Sequence, residues 1–88
     1  MKLLEADREF LRCNYGEDDC HIDQIQEAIG KSTFECDGKK VSAAKVIELS
    51  GRKAFLAAMD RSAFHRTASV QCEGHEIYVD SSRLFRGC

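Results

Sequence analysis

The chain lacks any apolar run near the roughly 20 residues that a bilayer crossing needs, so no membrane contact is expected. Its first residues also lack the form of an export signal, because Leu3-Leu4 is followed at once by Glu5, Asp7, Arg8 and Glu9. A cytoplasmic location is expected. Missing too are a glycine-rich phosphate loop, an HExxH helix and a CxxC pair. No nucleophile, base and orienting carboxylate stand in recognisable spacing. The expectation is a non-enzyme with no catalytic residue, no metal and no cofactor. Net charge is only −2 and apolar residues recur in every segment, which argues against disorder.

What is present suits one small folded unit. Eighty-eight residues, 43% hydrophobic and 32% charged, predict a single domain over 1–88 with a core of modest size. Its parts are an acidic helical stretch, 1–31, and a hairpin–helix–helix–hairpin stretch, 32–88. The five cysteines are odd in number and come without an export signal, so reduced thiols are expected. Charge is divided along the chain. Residues 1–37 hold ten acidic and four basic side chains, whereas residues 38–88 hold five acidic and nine basic. This division predicts one acidic and one basic surface, each able to meet a charged partner.

Periodicity supplies the elements. Leu3, Ala6, Phe10 and Cys13 share a helical face, and Asn14-Tyr15-Gly16 ends that helix. Ile22, Ile25, Ala28 and Ile29 mark a second helix, capped by Asp18 or Asp19 and stopped at Gly30. Asp37-Gly38 predicts a tight hairpin with Phe34 opposite Val41 and Cys36 opposite Lys39. Ser42 caps a third helix through Leu49, Gly51 interrupts, and a fourth helix runs from Arg52 to about Phe64. A second hairpin turns at Glu73-Gly74, with Val70, Cys72, His75, Ile77 and Val79 on one face. Asp80-Ser81-Ser82 is expected to begin a terminal turn that docks Leu84 and Phe85. The two hairpins align at an offset of 36 residues, a match that shared turn chemistry or a duplication explains. The fold class is α+β, with helices on one face of a small antiparallel sheet made of both hairpins.

Several constellations carry candidate chemistry. Cys72-Glu-Gly-His75 has the spacing of a zinc half-site, and Cys20 with His21, or Cys36 with another ligand, could complete it. The equivalent of His75 in the first hairpin is Lys39, a poor ligand, so no metal is assigned. On the fourth helix, Phe55, Leu56, Ala58, Met59, Ser62 and Ala63 form the inner arc. Lys53, Ala57, Arg61 and Phe64 fall on the opposite side, a cation–aromatic face suited to partner contact. Alternatively, the helix ends near Ser62 and Phe64 turns inward. Lys39, Lys40, Lys45, Arg52, Lys53, Arg61 and Arg66 form a basic series able to contact phosphates directly. The acidic residues Glu5, Asp7, Glu9, Glu17, Asp18, Asp19, Asp23 and Glu27 could mimic a row of phosphates or form two solvated helix faces.

Gly51 to Leu56, Arg61-Ser-Ala-Phe-His65 with Thr67-Ala68, and Ile77-Tyr-Val-Asp-Ser-Ser-Arg-Leu-Phe85 resemble small accessory proteins of conjugative elements and prophages of Firmicutes. The resemblance covers the C-terminal half and brings no catalytic residues with it. It implies a context that includes anti-CRISPR-type inhibitors. The expected function is therefore stoichiometric binding of a host protein or protein–nucleic acid complex, such as a CRISPR-type nuclease, with Lys53, Arg61, Phe64 and Arg66 as anchors. The alternative is a small DNA-binding regulator, winged-helix-like, using Lys39, Lys40, Lys45, Arg52 and Lys53.

Overall fold

In the computed structural model, which describes residues 2–72 and 74–81 apart from the side chain of Cys72, four helices pack on a four-stranded antiparallel sheet. Helix α1 (Glu5–Tyr15) starts where the Asp7 carboxylate accepts the Leu4 N–H at 2.8 Å, and it ends at Gly16. Helix α2 (Asp19–Ile29) is capped by Asp18, whose Oδ1 accepts the His21 N–H. Strands β1 (Thr33–Cys36) and β2 (Lys39–Val41) form the first hairpin in the expected register. Both turn residues have positive φ, 53° at Asp37 and 84° at Gly38, as a type I′ turn requires.

Ser42 accepts the Lys45 N–H and opens α3 (Ala43–Ser50). Gly51 then separates α3 from α4 (Arg52–His65) at φ 85° and ψ 158°, a conformation closed to side chains with a Cβ. Its N–H closes α3 on the Ile47 carbonyl and its own carbonyl accepts Phe55 N–H, so one residue ends one helix and starts the next. Strands β3 (Thr67–Cys72) and β4 (His75–Asp80) make the second hairpin. The terminal turn expected at Leu84 and Phe85 lies outside the described residues.

The hairpins join through β1 and β4, giving the order β2-β1-β4-β3. Phe34, Cys36, Ile77, Val79 and Ala68 face the helices and are buried. The other face carries a row across all four strands, Lys40, Glu35, Tyr78 and Ser69, none of it buried. Among the described residues, strand alternation thus leaves the helices covering one side of the sheet. Leu11, Ile22, Ile25, Val46, Phe55, Leu56 and Met59 supply the helical half of the core, where the Phe34 and Phe55 rings lie 5.6 Å apart. No helix is long and apolar enough to cross a membrane, among the described residues.

Candidate functional site

Helix α4 is the centre of the molecule, touching α1, α2, α3, β3 and β4. At 14 residues it is about 21 Å long. Its inner arc is buried as its periodicity dictates, including Phe55, Leu56, Ala58, Met59, Ser62 and Ala63. The helix continues to His65, so Phe64 stays on the outer face, 52% exposed, together with exposed Lys53 and Arg61. The cation–aromatic face read from the sequence is therefore assembled as expected.

Beside that face lies a hollow of about 420 Å³, lined by Tyr15, Ala57, Asp60, Arg61, Phe64, His65 and Val70. Tyr15, 41% exposed, stands edge-on to Phe10 at a centroid distance of 5.8 Å. A second hollow, of about 280 Å³, begins across Arg61 and His65 and reaches Thr67, Ser69 and Tyr78. Arg61 and His65 thus form a ridge between two depressions.

Asp60, in the wall of the larger hollow, breaks the apolar pattern. It is buried against Glu17 from the loop before α2, each residue retaining 8% of its exposure. Among the described residues, neither Glu17 Oε2 nor Asp60 Oδ1 receives a hydrogen bond. Two carboxylates cannot both stay ionised in such a place. Burial, and then the charge of Asp60, push the Glu17 carboxyl up to about 7, while burial also raises Asp60. The pair therefore shares a proton on the acid side of about pH 7 and loses it above. Asp60 was not singled out by sequence reasoning, although its position four residues after Leu56 and three before Ala63 puts it on the apolar stripe.

The remaining basic residues are dispersed. Lys39 and Lys40 lie exposed on edge strand β2, and Lys45 pairs with Glu48 at 3.6 Å. Arg66, at φ 69°, closes α4 and pairs with Asp80 at 3.6 Å. Arg52 has a structural partner: its guanidinium grips buried Asp7 through both carboxylate oxygens. That contact, outweighing burial, holds the Asp7 carboxyl below its usual range.

The acidic row is also taken apart by folding. Asp7 and Glu17 are inside, Arg12 gathers Glu5, Glu9 and Asp19, Arg8 holds Asp23, and Lys31 holds Glu27. Much of the negative charge is met by basic groups of the same segment, which corrects the picture of a continuous phosphate-like row. The thiols need a correction as well. Cys13 and Cys36 are free, but Cys20 is disulfide-bonded.

One further cluster forms where the hairpins meet. Cys36 Sγ lies 3.7 Å from His75 Nδ1, and His75 Nδ1 lies 2.9 Å from Asp37 Oδ2. The β3–β4 register sets Cys72 opposite His75, but the Cys72 side chain lies outside the described residues. A nucleophilic triad needs the thiol and the carboxylate on opposite ring nitrogens, whereas here both face Nδ1. Burial, followed by the charge of Asp37, also pushes the Cys36 thiol up, away from the thiolate a nucleophile requires.

The chain matches no family model, no curated protein and no solved structure.

Proposed function

We propose that this protein is a non-enzymatic binding protein that acts stoichiometrically on a macromolecular partner, engaging it through the outer face of α4. The observation that carries this reading is the hollow between Tyr15 and Phe64, two half-exposed aromatics flanking Arg61. Aromatic and arginine side chains provide large contact area and are enriched among the residues that dominate binding energetics. Lys53 extends the face toward the start of α4, and Arg66 lies just beyond its end.

The likeness of the C-terminal half to accessory proteins of conjugative elements and prophages supports a specific context. In that context the partner is a host defence nuclease complex of the CRISPR type. The DNA-regulator reading is weaker, since Arg52 is committed to Asp7 and Lys45 faces Glu48.

The test is reconstitution with a CRISPR-type nuclease and its guide, scoring target cleavage as the protein is titrated. Inhibition should reach its end point near one equivalent and be lost in Phe64→Ala and Arg61→Glu. Phe64→Ala should cost less than about 1 kcal/mol of stability, because the ring is half exposed. Absence of inhibition, combined with steeply salt-dependent binding to random duplex DNA that Lys39→Glu with Lys40→Glu removes, would replace this reading with the regulator.

A further inference from the structure

We infer that Cys36, Asp37 and His75 form a binding site for a divalent transition-metal ion of the zinc type, placed where the two hairpins are stitched together. The inference is independent of the α4 face and of any partner.

The ligand chemistry is mixed and suited to zinc: one thiolate sulfur, one imidazole nitrogen and one carboxylate oxygen. Their donor atoms all lie within 4.8 Å of one another. Sγ to Nδ1 is 3.7 Å, Sγ to Asp37 Oδ2 is 3.7 Å and Nδ1 to Oδ2 is 2.9 Å. A tetrahedral zinc with ordinary bond lengths sets edges of about 3.6 Å for the two involving sulfur and about 3.4 Å for nitrogen to oxygen. Two edges already fit. The third needs to open by about half an ångström, the change expected when a metal replaces an N–H···O hydrogen bond.

The backbone holds this triangle in place. Asp37 occupies the positive-φ turn position and is tied to β4 twice, its N–H donating to the Glu76 carbonyl and its Oδ1 accepting the Glu76 N–H, both at 3.0 Å. The β1–β4 register sets Cys36 opposite Ile77, two residues from His75 on the same face. Asp37 Oδ1 is thus oriented by a second partner while Oδ2 faces the cluster, the outer support that metal carboxylates use. Cys36 approaches from the core side and is buried, whereas Asp37 is exposed and His75 partly so, which leaves an entry path from solvent. Binding releases the Cys36 thiol proton to solvent, while His75 ligates as a neutral imidazole through the Nδ1 lone pair and keeps its one N–H on Nε2. Water completes the coordination shell.

The test is titration of metal-free protein with cobalt(II), followed by displacement with zinc. One equivalent should produce a thiolate-to-cobalt charge-transfer band together with the visible bands of a four-coordinate ion. Cys36→Ser, Asp37→Asn and His75→Gln should each weaken binding by at least about tenfold, since even outer-shell changes cost 10–100-fold. Asp37→Asn keeps a residue that tolerates the turn, so a folded variant is assured at one ligand at least. Cys13→Ser, at an exposed thiol on α1, should bind like the parent. Failure of cobalt to elicit the charge-transfer band, or a band that survives Cys36→Ser and vanishes in Cys13→Ser, would overturn the inference.

Discussion

Replacing Glu17 by glutamine should make the protein more stable at pH 8 and flatten its stability between pH 5 and 8. Glu17 and Asp60 are buried together, and the Glu17 carboxyl is raised from 4.5 to about 7. A carboxyl whose folded-state value is raised binds more protons folded than unfolded. Its contribution is fully present below about pH 4.5, declines as pH rises through the window to about 7, and is gone above it. A shift of this size corresponds to roughly 3 kcal/mol lost across that window. For a chain of this length, that is a fall in Tm on the order of 10–20 °C.

The Glu17→Gln substitution removes the titrating group while keeping the shape, and the new amide can donate to the Asp60 carboxylate left beside it. The assay is thermal unfolding by circular dichroism at half-unit steps from pH 4.5 to 8.5. The parent should lose stability steadily toward pH 8. The Glu17→Gln variant should lose less stability than the parent over this range, Asp60 keeping its own burial-raised carboxyl, and should exceed the parent by about 2 kcal/mol at the alkaline end. A parent profile flat from pH 5 to 8, or a variant less stable than the parent at pH 8, would refute the shared-proton account.

The acid side and the cysteines offer two more tests. Arg52 holds the Asp7 carboxyl below its usual value. That stability is present above the ordinary carboxylate range and lost as pH falls beneath it, so the parent should have an acid limb below about pH 4. Arg52→Ala should cost about 2 kcal/mol at pH 6 by leaving Asp7 buried without its cation, with a smaller penalty at pH 3; denaturant melts at both values check this. Peptide mapping after alkylation under denaturing, non-reducing conditions should find Cys13 and Cys36 labelled and Cys20 protected until reductant is added. Labelling of Cys20 without reductant would restore the all-thiol expectation.

The fold was largely legible because its signals are local. Ser42, Asp18 and the Asp37-Gly38 pair act on their own neighbours, and period-3.6 and period-2 patterns place Ile22, Ile25, Phe55 and Ile77 inward without reference to distant residues. On α1 the expected face is corrected, since Ala6 and Cys13 are exposed and Asp7, held by Arg52, is buried with Leu11. The outer face of α4 was legible for the same reason. What escaped depends on contacts between segments far apart in sequence. In the triplet Glu17-Asp18-Asp19, three chemically similar residues have three fates: one is buried against Asp60, one caps α2, one pairs with Arg12. The loop conformation decides among them, and no periodicity applies to a loop. Arg52 read as one member of a basic series because its partner Asp7 lies 45 residues away. The hairpin cluster depends on a single register. Pairing Cys36 with Ile77 puts Asp37 beside Glu76 and His75, and a slip of two residues along β4 would carry His75 about 7 Å away. Each hairpin specifies its own turn, but only the inward packing of Phe34, Cys36, Ile77 and Val79 together under α4 selects how one hairpin registers on the other. The chemistry at that junction is therefore a property of the assembled core, and sequence spacing within either hairpin does not encode it.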